Sequence, residues 1–349
     1  MRSKGLIRSV AALVFMAGAV VALLLAEALL RLMGYSPDKG LNIPSFDCAK
    51  KQVVNDDYLG FKFLPGKYNC SINGLEFYST IDDDSFRITA TESHKEDSLK
   101  MHLFGCSITF GHALDDTATM AWKLQHLLPH VEVKNYGIGA GSTVQSYLVL
   151  KRNYAKGLRP QVVVVNYSSF HDQRNAMTRP WRKMWTTLLV DKRDSKDNKH
   201  VQLPYAICDD DSTWQLRYIT AADFKPGIPF TRFSALCNIL NEALEKGADK
   251  GKNETEASFR VLLSISQLCN ENGARLIVTG ITGDEATKTM LRKLNKEGIL
   301  TVDISVDLKD RSFNLQPYDN HPNGKANSAY AERLFSYLNN SGGFAERNQ

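Results

Sequence analysis

From about residue 98 the chain alternates short apolar runs with segments of helical periodicity, and this alternation limits its fold more than any other feature. The apolar runs fall at 101–105, 131–135, 161–167, 275–280 and 299–305, and the helix-like segments near 117–129, 143–156, 257–271, 284–296 and 324–338. In the third run Val162-Val163-Val164-Val165 is uninterrupted and β-branched, the pattern of a central strand covered on both faces. Strand, helix, strand repeated in this way predicts an α/β fold, a three-layer α/β/α sandwich around a central parallel sheet of flavodoxin-like plan, over residues 98–340. Binding sites in such sheets collect at the carboxyl ends of the strands.

A different kind of segment precedes this domain. Arg2, Lys4 and Arg8 lead into an apolar run from Val10 to Ala26, continued after Glu27 by Ala28, Leu29 and Leu30. That is about 20 residues, the length that spans the hydrocarbon of a bilayer. Residues 1–34 are therefore expected to be a cytoplasmic stub and transmembrane helix. The basic residues on the amino side place the N-terminus in the cytoplasm and the rest of the chain in a periplasmic or extracellular compartment. The alternative is a cleaved signal peptide, since Ala26-Glu27-Ala28 has the small-x-small form of a cleavage site. Against it, the helical pattern runs on through Leu29, Leu30, Leu32 and Met33. Residues 35–97, punctuated by Pro37, Pro44 and Pro65, read as an extended lead-in arm with short strands around 58–63 and 75–78.

Six cysteines suit an exported protein. Cys48 and Cys70, flanking one short segment, are the first expected disulfide, and Cys208 and Cys237 the second. No Cys-x-x-Cys pair appears, so neither a metal nor a cofactor is expected. The formal charge of +5 arises from 43 basic against 38 acidic residues. The one local basic cluster, Lys192, Arg193, Lys196 and Lys199, is interleaved with Asp191, Asp194 and Asp197, which argues against a nucleic-acid partner. Between about 171 and 256 the strand–helix rhythm breaks, and this stretch reads as an insertion near the strand ends, placed to act as a lid. Its Trp181, Trp185 and Trp214 serve either to pack the insertion or to stack on sugar rings. The tail at 341–349 is polar and expected to fray.

The chemistry is expected at Met101–Gly111. An apolar strand stops at Gly105, the pair Cys106-Ser107 follows, and a tight turn there lifts the Ser107 hydroxyl clear of the sheet as a candidate nucleophile. Near the other end, Pro317-Tyr318-Asp319-Asn320-His321-Pro322-Asn323 lies between the last strand and the final helix. His321 would take the proton from Ser107 Oγ as it attacks a carbonyl, and Asp319 would orient the imidazole and stabilise its charged form.

Together these segments resemble the SGNH (GDSL-type) hydrolase family, of the membrane-anchored bacterial type, over about residues 101–335. Gly105-Cys106-Ser107-Ile108-Thr109-Phe110-Gly111 is similar to the family's Gly-Asp-Ser-x-Thr-x-Gly block. Asn135-Tyr136-Gly137-Ile138-Gly139-Ala140-Gly141-Ser142-Thr143 is similar to its glycine-rich second block, and Asn166–Asn175 lies where the third belongs. Asp319-Asn320-His321-Pro322-Asn323 resembles the terminal Asp and His block, and the Ser85-Phe86-Arg87 turn also resembles membrane-anchored members. The resemblance implies an oxyanion hole formed by the N–H groups of Ser107 and of Ala140 or Gly141, with His171. Three positions depart from the family pattern: Cys106 replaces its aspartate, Ala140 a glycine, and His171 the asparagine of Gly-x-Asn-Asp. The function implied is an exported, membrane-anchored serine esterase acting on an O-acyl ester of a small molecule or cell-envelope glycan. Acyl transfer through the same acyl-enzyme, or a non-catalytic glycan- or partner-binding module of this fold, are the alternatives.

Overall fold

The computed structural model describes residues 2–41, 45–90, 98–189, 201–208, 213–220, 223, 227–249 and 251–341. The charged run at 191–200, Pro44, Pro226 and the tail from 342 lie outside the described residues. The chain divides into two compact units, one made of Met1–Asn42 with Phe224–Gly251 and the other of Ile43–Asp223 with Lys252–Gln349. The first opens with α1 (Arg2–Leu32), in which Ser9–Leu32 is long and apolar enough to cross a membrane and has no fully buried residue.

The second unit begins with four short antiparallel segments and a closing strand: β1 (Phe46–Cys48), β2 (Val53–Asp56), β3 (Gly60–Phe63), β4 (Gly66–Ile72) and β5 (Leu75–Ile81). β4 is central to a three-stranded sheet with β1 and β5, while β2 pairs with β3. Cys48 stands opposite Cys70 in the β1/β4 register, and the two form a disulfide. Alternation along β4 and β5 turns Tyr68, Ile72, Phe77 and Ile81 to one side, where they cluster with Phe63 and with Phe110 and Ala113 from the segment after Ser107.

The remaining elements follow as β6 (Leu99–Gly105), α2 (Ser107–Phe110), α3 (Met120–Leu127), β7 (Val131–Gly137), α4 (Thr143–Ala155), β8 (Val162–Tyr167), α5 (Phe170–Asn175), α6 (Arg179–Leu189), β9 (Gln202–Cys208), β10 (Trp214–Thr220), α7 (Ala235–Asp249), α8 (Glu254–Glu271), β11 (Arg275–Thr282), α9 (Glu285–Lys296), β12 (Leu300–Val306) and α10 (Gly324–Asn340). Strands β7, β6, β8, β11 and β12 pair in that order, all parallel, to form the central sheet. The sandwich is thus the α/β fold expected from the alternating runs. Met101, Leu103, Val131, Val133, Val162, Val164, Ile277 and Ile304 pack on one face with α3 and α10. The intervening residues, among them Phe104, Val163, Val165 and Val278, are equally buried on the α4 and α8 face. Burial on both faces is why these strands read as continuous apolar runs, and each fully buried valine contributes about 1.5 to 3 kcal/mol.

The stretch at 171–256 is divided between the two units: α5, α6 and the β9/β10 hairpin belong to the second, and α7 to the first. Trp181 and Trp185 are buried edge to face, and Trp214 Nε1 donates to Ser264 Oγ at 2.7 Å, so these rings pack the fold rather than offering a sugar platform. The second expected disulfide is not formed. Cys208 closes β9 in one unit and Cys237 lies in the first turn of α7 in the other; sequence position carries no information about which unit a segment joins.

Candidate active site

Ser107 opens α2 directly after β6, so the parallel sheet delivers its hydroxyl at a strand's carboxyl end. Two glycines make this turn fit. A Cβ on Gly105 would lie 2.2 Å from Thr109 Oγ1, and one on Gly137, at the end of neighbouring β7, would lie 2.3 Å from the backbone N of Phe110. Thr109 is the pin of the turn: its carbonyl accepts from Asn135 Nδ2 at 3.0 Å and its hydroxyl from Asn166 Nδ2 at 2.8 Å. Thr279 in turn donates to Asn166 Oδ1 at 2.6 Å, so three parallel strands hold one short helix.

The loop after β12 is held as firmly. Asn314 bridges Pro322, Leu315 N–H donates to the His321 carbonyl at 3.0 Å, and Asn323 caps α10 by accepting from Lys325 N and Ala326 N. This closes a short loop, with a cis Gln316–Pro317 bond, that carries Asp319 and His321 over the sheet. His321 Nε2 lies 2.9 Å from Ser107 Oγ across 214 residues of sequence. His321 Nδ1 lies 2.5 Å from Asp319 Oδ1, which also accepts the His321 backbone N–H at 2.6 Å. A carboxylate only accepts, so Nδ1 carries the proton and Nε2 is free to accept from the serine hydroxyl. Burial alone would raise the Asp319 pKa, but the hydrogen bonds and charge of His321 outweigh it and hold the carboxyl below its ordinary range.

The implied oxyanion donors fare unequally. Gly141 N–H donates to the Ile138 carbonyl at 2.9 Å, so it is engaged in its own turn and is not a free donor, which corrects the expectation for that residue. Ala140, in the left-handed region at φ 53, and Ser107, first in α2, have N–H groups that no described residue engages. His171 is buried edge-on to Phe170 and Tyr167, and neither ring nitrogen has a partner among the described residues. Burial, with the charge of Arg174, drives its pKa well below the ordinary value, so the ring stays neutral with one N–H to give.

Three neighbours had no role assigned to them from the sequence. Arg87 is fully buried; it pairs with Asp116 at 2.9 Å and donates to the carbonyls of Gly111, Leu114 and Tyr78, tying the segment after α2 to the β5 strand. Arg174 lies 4.4 Å from both the Phe170 and Trp181 rings and donates to the Gly141 carbonyl at 3.0 Å, bracing the turn that presents Ala140. The His112 ring packs against that of His321 with centroids 4.6 Å apart, and the His112 backbone N–H donates to the Ser107 carbonyl at 2.9 Å. Burial first, and His321 second, push the His112 pKa down to about 3. The Arg87 turn was visible only as part of the family resemblance; the other two left no spacing signal. His112, Asp319 and His321 offer ligand-capable atoms within 4.8 Å of one another, but Asp319 and His321 are already bonded, and a metal held there would take the base from Ser107.

No protein-family model and no curated protein matches the chain. Solved structures do. A member of the lipolytic protein G-D-S-L family from Veillonella parvula DSM 2008 is 10% identical over 69% of this chain and 99% of its own, with a TM-score of 0.39. A family two carbohydrate esterase from Clostridium thermocellum, in complex with cellohexaose, is 10% identical over 79% of this chain and 72% of its own, at 0.38. An acetylxylan esterase from Geobacillus stearothermophilus is 12% identical over 73% of this chain and all (100%) of its own, at 0.36.

Proposed function

We propose that the chain is an SGNH-type serine ester hydrolase held to a membrane by α1, with its N-terminus cytoplasmic and the sheet domain on the far side. The observation that carries this reading is the continuous relay from Asp319 through His321 to Ser107, 2.5 Å and then 2.9 Å, built from segments at opposite ends of the domain. Ser107 Oγ attacks the ester carbonyl while its proton passes to His321 Nε2, and Asp319 stabilises the imidazolium. The tetrahedral oxyanion is held by the N–H groups of Ser107 and Ala140, with His171 as the third donor. The alcohol leaves with the proton from His321, and water resolves the acyl-enzyme. The substrate is an O-acyl ester, with an acylated cell-envelope glycan suited to the exported location. No metal or cofactor takes part in these steps.

Hydrolysis of p-nitrophenyl acetate by the full chain tests the reading. Ser107→Ala is expected to abolish turnover while leaving the fold unchanged by circular dichroism. Wild-type turnover no higher than that of the variant, with glycan binding retained, would instead support a non-catalytic module.

A further inference from the structure

Glu27 is the one carboxylate in the apolar stretch Ser9–Leu32. A charge in such a helix is costly unless something satisfies it. Here the carboxylate accepts from the backbone N–H groups of Ala235 at 2.8 Å and Leu236 at 3.0 Å, from Ser234 Oγ at 2.8 Å and from Arg31 Nε at 2.7 Å. It therefore caps the N-terminus of α7. Arg31 adds a bond to the Phe233 carbonyl at 2.8 Å, Asp38 N–H donates to the Thr231 carbonyl at 2.9 Å, and Asn238 Nδ2 donates to the Ser36 carbonyl at 3.2 Å. The start of α7 is thus fastened to the last turns of α1 and the residues just beyond it. Glu27 stands five residues before the end of α1, about 7 to 8 Å along the axis, so α7 begins beside the carboxyl end of the apolar stretch.

α7 has the pattern suited to that level. Leu236, Leu240 and Leu244 recur every fourth residue on one side, and Asn241, Glu242, Glu245 and Lys246 occupy the other. The preceding turn adds Phe230 and Phe233. Leu236 is half-buried, and the other four apolar side chains are bare: Phe230 is 70% exposed, Phe233 76%, Leu240 49% and Leu244 58%. Large apolar groups grouped in this way mark a contact surface. We propose that α7 and the Phe230–Phe233 turn lie in the bilayer interface, with Phe230, Phe233, Leu240 and Leu244 among the lipids and Glu27 as the clasp that sets their depth. The occupant is lipid because the clasp ties this face to the flank of α1; the inference rests on α1 crossing the membrane. The chain then meets the bilayer twice, once through it and once along its surface.

The test uses the full chain in phosphatidylcholine/phosphatidylglycerol vesicles. Alkaline carbonate extraction reports separately whether α1 is embedded. Leu240→Trp and Leu244→Trp are compared with the polar-face variant Glu242→Trp, each read as fluorescence above the parent protein, in vesicles with and without bromine on the acyl chains. The two leucine-site probes are expected to be blue-shifted and quenched at least about twofold more than the Glu242 probe, as an interfacial helix requires. Adding Glu27→Leu to Leu240→Trp is expected to remove that quenching while the chain still resists carbonate. Equal quenching at all three positions in a carbonate-resistant chain would overturn the interfacial proposal and leave the anchor standing. Blue-shifted probes that bromine does not quench would assign the face to a protein partner and overturn it too. Release of the chain by carbonate would refute the anchor itself, and with it the depth on which this inference depends.

Discussion

Gly137 is the residue at which packing and chemistry can be separated most cleanly. A Cβ there would sit 2.3 Å from Phe110 N and 2.8 Å from both Phe110 Cα and the Thr109 carbonyl carbon, all main-chain atoms of α2 that no rotamer change can move aside. Restoring an ordinary contact of 3.4 Å means shifting α2 away from β7 by about 1 Å. Ser107 is the first residue of α2, so the displacement carries its hydroxyl off the 2.9 Å line to His321. A misplacement of about 1 Å at reacting atoms costs on the order of 100-fold in rate, or about 2.7 kcal/mol of transition-state stabilisation. Gly137→Ala should therefore lower kcat/KM for p-nitrophenyl acetate about 100-fold, mostly in kcat, with overpacking costing about 1 to 3 kcal/mol in stability by urea titration. Gly247→Ala is the control. That glycine, in α7, has open space around its Cβ position, and the change should leave kcat/KM alone and stabilise by about 0.5 to 1 kcal/mol. Full activity and an unchanged urea midpoint in Gly137→Ala would show that the α2–β7 contact does not set the position of Ser107.

Other outcomes follow from single groups. His171→Ala should lower kcat for p-nitrophenyl acetate by about 100-fold with little change in KM, and His171→Asn should recover part of it; wild-type kcat in both would remove His171 from the oxyanion hole. Arg87→Met removes the buried cation paired with Asp116 and its bonds to three carbonyls and should cost about 3 to 5 kcal/mol, read as a lower urea midpoint. His102 is buried and its pKa is pushed down to about 3, chiefly by burial. The unfolded chain takes up its proton below about pH 6.5 while the folded chain refuses it. Its contribution is therefore whole above that pH and falls as pH drops toward 3, by about 2 kcal/mol at pH 5. His102→Phe should flatten that part of the Tm against pH curve, and an unaltered acid limb would contradict the assignment.

The sheet was legible because parallel strands buried on two faces must be apolar throughout, as Val162–Val165 and Leu276–Val278 are. The contact between Ser107, His321 and Asp319 was legible for a different reason: Ser107 and the Asp319/His321 pair sit at punctuated strand and loop ends, flanked by glycine or proline. What escaped was whatever depends on distance across the fold. Arg87 and Arg174 bind carbonyl oxygens and ring faces, partners that every residue or any aromatic can supply, so no spacing marks them. Gly141 looked like a donor until the turn claimed its N–H for Ile138, and Cys208 looked like a partner for Cys237 until the fold put them in separate units. Glu27 read as a charge interrupting an apolar helix; apart from Arg31 one turn on, its partners lie 207 to 209 residues downstream.

Labelling with a fluorophosphonate probe tests the central claim without choosing a substrate, because the probe reacts only with a hydroxyl that a neighbouring base has made nucleophilic. Incubation of the full chain and mapping of the adduct by peptide mass should place a single modification on Ser107, lost in Ser107→Ala and strongly slowed in His321→Ala. An unmodified Ser107 in the folded protein, or labelling at the same rate with His321 removed, would contradict the proposal that these residues work as one reactive unit.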